Sequence, residues 1–433
     1  MEPDQADVNV DGRTPMILVT GLNTSAVART VDSLVVAGTT VVHHDLDAVA
    51  AGRVRRTLRS VDLDGTETVE ISEIDLEHGC VSCTMRLDLL PLLRELHRGD
   101  GLPAGAAGDR SHPETIVLQL DPRIEPEALC WAVQNVLVTD QPGIPDGPAG
   151  RDVRVEATIA CVDEESWLSS ATGDETLAEA GLGESDDDRT LAQVVVGQVA
   201  FADALVVAAA DPAHRDRWET QRTVAVLTRL APRAPMLMEL PQRRMTSMRA
   251  TQLLRAIPAD SRRGRVDDPH DPLLADRPPL DFDGDVGIVE FNADRPFHPA
   301  RLHHALDVFL DGVVTARGRL WSANRPDQAL WLESCGAALR IADGGAWLAA
   351  MSDLEWDRAD PQRRAMAALR WHPVHGDRHT ALVILVNGAD PAQLTAVLDA
   401  ALLDDDELAL GPAGWRRLPD PFRLADDTSN TLG

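Results

Sequence analysis

The chain has 433 residues, 41 basic and 70 acidic, so its formal net charge is 41 − 70 = −29. That length predicts two or three domains, and 44% hydrophobic with 26% charged residues is the composition of a chain that packs cores, not of a disordered one. The acidic balance argues against a hold on RNA or DNA through the chain's own phosphate contacts, and no apolar run reaches the roughly 18 residues of a membrane helix.

Residues 1–14 are polar and acidic and lack the basic-then-apolar pattern of a secretory leader. Five cysteines, an odd number in a long chain, fit a reduced cytoplasm better than a disulfide framework. All 41 basic residues are arginine. The absence of lysine excludes Schiff-base chemistry, a lysine general base and the phosphate-gripping lysine of a P-loop.

In chain order, residues 15–21 read as a short buried strand. A helix follows, with Thr24 or Ser25 as N-cap and Val27, Val31, Leu34 and Val35 as its apolar stripe. Thr39–His43 is the next strand; the stretch holding Arg53, Arg55, Arg56 and Arg59 reads as a charged loop, and Thr68–Ile74 alternates like a strand. A helix over Cys83–Leu96 precedes four further strand–helix pairs. Their strands are Glu114–Leu120, Ala157–Val162, Ala204–Ala208 and Met236–Leu240, and their helices are Glu125–Val138, Leu191–Ala202, Gln221–Leu230 and Arg249–Ile257. This βαβα rhythm with continuous apolar strands predicts an α/β domain over residues 1–257, its mostly parallel sheet covered on both faces. Residues 258–285 carry proline, Asp and Arg clusters and read as a linker. Over 286–433 the pattern changes to strands at Val286–Asn292, Val313–Ser322, Ala329–Glu333, Ala338–Ile341, Ala346–Leu348 and His379–Val386. Helices at Pro299–Leu310, near Pro361–Trp371 and at Pro391–Leu403 complete a smaller α+β domain with an antiparallel sheet.

Two places carry candidate chemistry. The first β–α turn, Gly21-Leu-Asn-Thr-Ser-Ala-Val-Ala-Arg-Thr30, lies where an α/β nucleotide-binding fold holds phosphate. Gly21 is in place, but Val27 and Ala28 stand at the lysine and hydroxyl positions, and Arg29 just beyond is the one group there that could reach an anion. On residues alone this reads as an ordinary strand–helix turn. The second place is Glu77-His-Gly-Cys-Val-Ser-Cys83, closing a strand and opening a helix. Cys80 and Cys83 can clasp one metal with His78 as a third ligand, form a redox pair at a helix N-terminus, or pack a junction as small apolar residues. His43-His44-Asp45 could complete a metal site. His298, His303, His304 and His379 read as turn or cap residues, His372 and His375 as turn or cap residues or as metal ligands, and Cys130, Cys161 and Cys335 as core.

Gly79-Cys-Val-Ser-Cys-Thr-Met-Arg86-Leu-Asp-Leu-Leu90 resembles the Gly-Cys-x-Cys-Cys-Thr-x-Arg-x-Asp-Leu motif of the CobW-type (CobW/HypB/UreG) branch of metal-linked P-loop GTPases. Arg295-Pro-Phe-His-Pro299, Arg317-Gly-Arg-Leu-Trp321, Trp371-His-Pro373 and Gly376-Asp-Arg378 extend the resemblance through the second domain. The resemblance implies a P-loop GTPase-like domain followed by a CobW C-terminal-type domain. It also implies zinc at Cys80, Cys83 and His78, and GTP with Mg²⁺ at Gly21, Arg29 and Asp211, the last retained from a guanine motif that here reads Ala208-Ala-Ala-Asp211. The family's middle cysteine is Ser82, and no catalytic residue is assigned. Val41-Val-His-His-Asp45, Cys130-Trp131 and Gly147-Pro-Ala-Gly-Arg-Asp152 are most similar to the subgroup that recruits a ribosome hibernation factor. That likeness implies a zinc-responsive adaptor acting with such a factor and the small ribosomal subunit, without DNA or membrane; a zinc metallochaperone with GTP hydrolysis is the alternative.

Overall fold

The computed structural model describes residues 11–76, 79–100, 102, 112–183, 187–209, 216–240 and 242–422. The first sheet is built from β1 (Thr14–Thr20), β2 (Thr39–Asp45), β3 (Arg53–Val61), β4 (Glu67–Asp75), β5 (Thr115–Gln119), β6 (Val153–Asp163), β7 (Ala204–Ala208) and β8 (Met236–Met238). Their order is β4-β3-β2-β5-β1-β6-β7-β8. The six strands from β2 to β8 run parallel, as short apolar strands separated by helices dictate, and β3 and β4 add an antiparallel hairpin beside β2. The expected mostly parallel sheet is present.

The arginine-rich stretch read as a loop is β3. Its inward positions Val54 and Leu58 are buried, while Arg53 and Arg55 face solvent. Only one face of this edge hairpin is covered, so half its residues are free to be charged.

Helices α1 (Thr24–Leu34), α2 (Val81–Thr84), α3 (Leu90–Arg98), α4 (Pro126–Asn135), α5 (Trp167–Thr172), α6 (Leu191–Ala200), α7 (Arg217–Leu230) and α8 (Ser247–Ala256) flank the sheet, with a π-turn at Met85–Leu89 between α2 and α3. On one face α3 and α4 bury Leu90, Leu93, Leu96 and Leu129 against Leu18, Leu58 and Leu118. On the other, α1 and α8 bury Val27, Val31 and Leu253 against Ile17, Val41 and Val117. Each such side chain removed from water contributes about 1.5–3 kcal/mol.

The second sheet, β9 (Val286–Ala293), β10 (Val313–Leu320), β11 (Gln328–Cys335), β12 (Ala338–Ala346) and β13 (Thr380–Asn387), has the order β12-β11-β10-β13-β9 and is antiparallel throughout. Residues Ala346–Leu348, expected as a strand, instead end β12 and turn into a 3₁₀ segment around buried Trp347. Val286, Ile288, Val314 and Leu385 from this sheet join one core with Val195, Val199, Val226 and Leu205 of the first domain.

Residues 258–285 form no helix or strand, yet they strap both sheets. The Arg263 amide donates to Asp203 (2.9 Å), Gln134 donates to the Gly264 carbonyl (3.0 Å), and buried Arg319 of β10 donates to the carbonyls of Pro269 (2.9 Å) and Asp271 (3.0 Å). Among the described residues no helix is long and apolar enough to cross a membrane.

The loop between α4 and β6 depends on one buried cation. Arg94 on α3 pairs with Asp152 (2.7 Å) and donates to the carbonyls of Pro145 (2.7 Å) and Gly147 (3.2 Å). Arg94→Ala leaves those acceptors and a mostly buried carboxylate unpaired, and a denaturant titration is expected to show a loss of about 3–5 kcal/mol.

Candidate metal centre and the first β–α turn

Only Gly21, Leu22 and Asn23 separate β1 from α1. Asn23 caps the helix: its Oδ1 accepts the Ala26 amide (2.9 Å), its Nδ2 donates to Asp163 (2.6 Å), and its carbonyl accepts the Val27 amide (3.0 Å). A phosphate cradle needs a wide loop whose amides point at a ligand. Here helix has grown back into the loop, and two of those amides bond Asn23. Val27, at the lysine position, is 2% exposed and packs in the core beneath α1.

Gly21 is explained by packing. Its φ is +151°, and a Cβ there would collide with the Cys161 carbonyl oxygen of β6. Arg29 is not aimed at the turn. Its guanidinium bonds the carboxylate of Glu239 (2.9 Å), which is 3% exposed and also accepts the Met245 amide (2.7 Å). Asp211 lies outside the described residues. The turn therefore does not fit a nucleotide triphosphate with Mg²⁺, and no chemistry is routed through one.

The dithiol follows β4 directly. Gly79 passes so close to Val49 that a Cβ would meet its carbonyl oxygen, which accounts for glycine there. Cys80 is the N-cap of α2: its Sγ accepts the Cys83 amide (3.1 Å) and lies 3.2 Å from the Ser82 hydroxyl. The two sulfurs touch, joined as a disulfide. Both are partly exposed. The other three cysteines differ: burial pushes the thiols of Cys130, Cys161 and Cys335 up to about 12, so they stay protonated and inert. Once reduced, Cys80 and Cys83 supply two of the four ligands a tetrahedral zinc takes. His78 lies outside the described residues, and among those described no third donor joins the two sulfurs.

One turn after the dithiol, Asp88 on the π-turn accepts from buried His44 of β2 (2.6 Å) and from Arg56 of β3 (2.7 Å). His44 is thereby committed to Asp88, and His43 bonds the Gln119 carbonyl through Nδ1 (3.0 Å). Nearby, the carboxylates of Asp45, Asp47 and Asp121 lie within 4.8 Å of one another. Arg123 already sits among them, bonding both Asp121 oxygens (2.7 Å each) and Asp47 (2.9 Å), while Arg55 pairs with Asp45. Sequence reading found Asp45 but not this network, because Asp121 and Arg123 reach it only through the parallel pairing of β2 with β5.

The histidines of the second domain serve turns and packing. His372 and His375 stack at 4.8 Å, His372 Nδ1 accepts the Val374 amide (3.1 Å), and His298 caps the helix Pro299–Ala305.

Residues 58–238 match the CobW/HypB/UreG nucleotide-binding domain, and residues 286–402 match the cobalamin synthesis protein cobW C-terminal domain. The first match begins inside β3, beyond the first β–α turn. The zinc chaperone Rv0106 of Mycobacterium tuberculosis is 46% identical over 417 residues, covering 95% of this chain and 93% of its own. The zinc-regulated GTPase metalloprotein activator 1 of Dictyostelium discoideum is 24% identical over 84% of this chain and 72% of its own. The crystal structure of Zn(II)-bound YjiA GTPase from E. coli aligns with 90% of this chain and 99% of its own, at 12% identity and a TM-score of 0.34.

Restoring the missing lysine tests the reading of the turn. Val27→Lys places an ammonium among Val31, Ile17 and Val117. The expected result is a stability loss of about 3 kcal/mol or more in a denaturant melt, with no gain of GTP binding by calorimetry. Micromolar GTP binding by this variant would contradict it.

Proposed function

Because the chain belongs to the CobW/HypB/UreG family, with the family's dithiol kept and its phosphate turn filled by helix, we infer that it is a zinc-responsive adaptor on a degenerate GTPase scaffold. In this reading Cys80 and Cys83 sense zinc, and the protein recruits a ribosome hibernation factor to the small ribosomal subunit when zinc is scarce. The observation that carries it is the contrast between the two sites. The first turn lacks the lysine and hydroxyl that would hold a triphosphate, and helix and Val27 fill it, whereas Cys80 and Cys83 stand partly exposed at a helix N-terminus, one turn from a buried carboxylate network. A function that dispenses with hydrolysis but retains metal response suits that contrast. A net charge of −29 also suits a basic ribosome-binding partner, since complementary fields speed encounter. His78 remains the proposed third ligand.

A zinc chaperone that binds and hydrolyses GTP is the second reading. It is favoured by the relative of that name at 46% identity; the filled first turn weighs against it.

The two readings separate in calorimetry of the reduced protein. The adaptor reading expects stoichiometric zinc binding without binding of Mg²⁺–GTP, in the presence or absence of zinc. Cys80→Ser with Cys83→Ser is expected to weaken zinc at least 100-fold, since two thiolate ligands are lost. Zinc affinity should fall as pH is lowered, because each thiol must lose its proton to ligate. For recruitment, affinity capture from zinc-depleted cells is expected to retrieve the hibernation factor with small-subunit proteins, and capture from zinc-replete cells much less. Equal recovery in both conditions, or none in either, would overturn the adaptor reading.

A further inference from the structure

The sheet is open along β4. Among the described residues this strand pairs only with β3, and nothing continues the ladder beyond it. The hairpin's outer face is also bare: the core formed by α1 and α8 on that side includes Val41 of β2 but no residue of β3 or β4. Val69 and Ile71, 54% and 64% exposed, stand at the centre of that strand's solvent face. Proteins blunt such an edge with charged side chains, lysine above all, with proline or with a bulge. β4 has neither proline nor bulge over nine residues in unbroken register with β3, and its charges, Glu67, Glu70, Glu73 and Asp75, are all acidic.

The charges select the occupant. Glu73 and Asp75 make no ion pair among the described residues: Arg55, across from Glu73, pairs with Asp45, and Arg53 stands exposed across from Asp75 without pairing to it, while Arg56 pairs with Asp88 and Arg59 chiefly with Asp32 (2.7 Å). A second copy is a poor match. Antiparallel self-pairing centred on Ile71 would set Glu67 against a second copy's Asp75 and Glu73 against its Val69, like charges or charge against hydrocarbon. The chain's own ends are equally unsuitable in sequence, since residues 1–10 carry three acids and no base and residues 423–433 carry two acids and one arginine. Nucleic acid is repelled by the same carboxylates.

We propose that the β4 edge, Glu67–Asp75, is a docking strand that takes an extended basic segment of a partner protein as an added strand of the sheet. Main-chain hydrogen bonds would supply the pairing, Val69 and Ile71 the apolar contact, and Glu73 and Asp75 the preference for alternating arginine or lysine. This goes beyond the adaptor reading and does not depend on zinc or on the ribosome.

The test titrates the full chain with a nine-residue synthetic peptide alternating arginine with valine, its glutamate-for-arginine counterpart, and a uridine oligonucleotide. Hydrogen exchange over residues 67–75 is followed throughout. The basic peptide alone is expected to protect these amides, with an affinity that falls as salt is raised. That affinity should drop at least 10-fold in Glu73→Arg/Asp75→Arg and likewise in Val69→Lys/Ile71→Lys. All four positions are exposed, and a thermal melt matching the parent confirms folding. No protection by the basic peptide, equal affinity in both variants, or protection produced by raising the concentration of the protein alone would overturn the proposal, the last by assigning the edge to a second copy.

Discussion

Asp88 holds the first domain's working corner together. Its two carboxylate oxygens are taken by His44 of β2 and Arg56 of β3, and it stands on a π-turn reached only five residues after Cys83. A π-turn costs regular hydrogen bonding, and such turns persist where side-chain contacts over-determine them. Here the contacts are charge-assisted and largely buried, so the helix that begins at the dithiol cannot slide without releasing a histidine and an arginine into apolar surroundings. The position of the sulfurs, the seating of the β3–β4 hairpin and the packing of Leu89 and Leu90 all follow from that anchor.

The first β–α turn shows the opposite history. A phosphate loop is a stretch of unsatisfied amides held open for a ligand, and an empty one leaves those donors unpaired. In this chain the donors are satisfied from within, by Asn23 as a cap, and the hydrocarbon of Val27 fills the space a lysine would cross. Arg29 shows the same closing, its charge neutralised by Glu239 from the far end of the domain. The result is a stable strand–helix junction in which glycine survives at position 21 because β6 comes too close for any side chain.

Much of this was legible in the sequence, and the failures have definite causes. Strand–helix alternation gave the mostly parallel sheet because buried parallel strands must be continuously apolar. The inert cysteines were readable from their apolar neighbours. β3 was misread as a loop because its open face carries Arg53, Arg55 and Arg59 and Arg56 adds a fourth charge on the covered side, and four arginines outweighed Val54 and Leu58. The linker's role was hidden because its contacts are backbone carbonyls taken by distant side chains, Arg319 above all, and these leave no local pattern. The partner of Arg29 lies 210 residues away, a pairing that periodicity and spacing do not reach.

The arithmetic of charge has a consequence beyond solubility. With 70 acids and 41 arginines, the interior pairs Arg29–Glu239, Arg56–Asp88, Arg94–Asp152 and Arg123–Asp121 consume arginine where burial makes an unpaired ion most costly. Each such pair withdraws one acid and one arginine together, so the residues outside these pairs still carry the whole excess of −29. A field of that sign reaches about 8–10 Å into solvent at physiological salt. Fields of one sign disfavour approach of like-charged molecules and favour approach of oppositely charged ones.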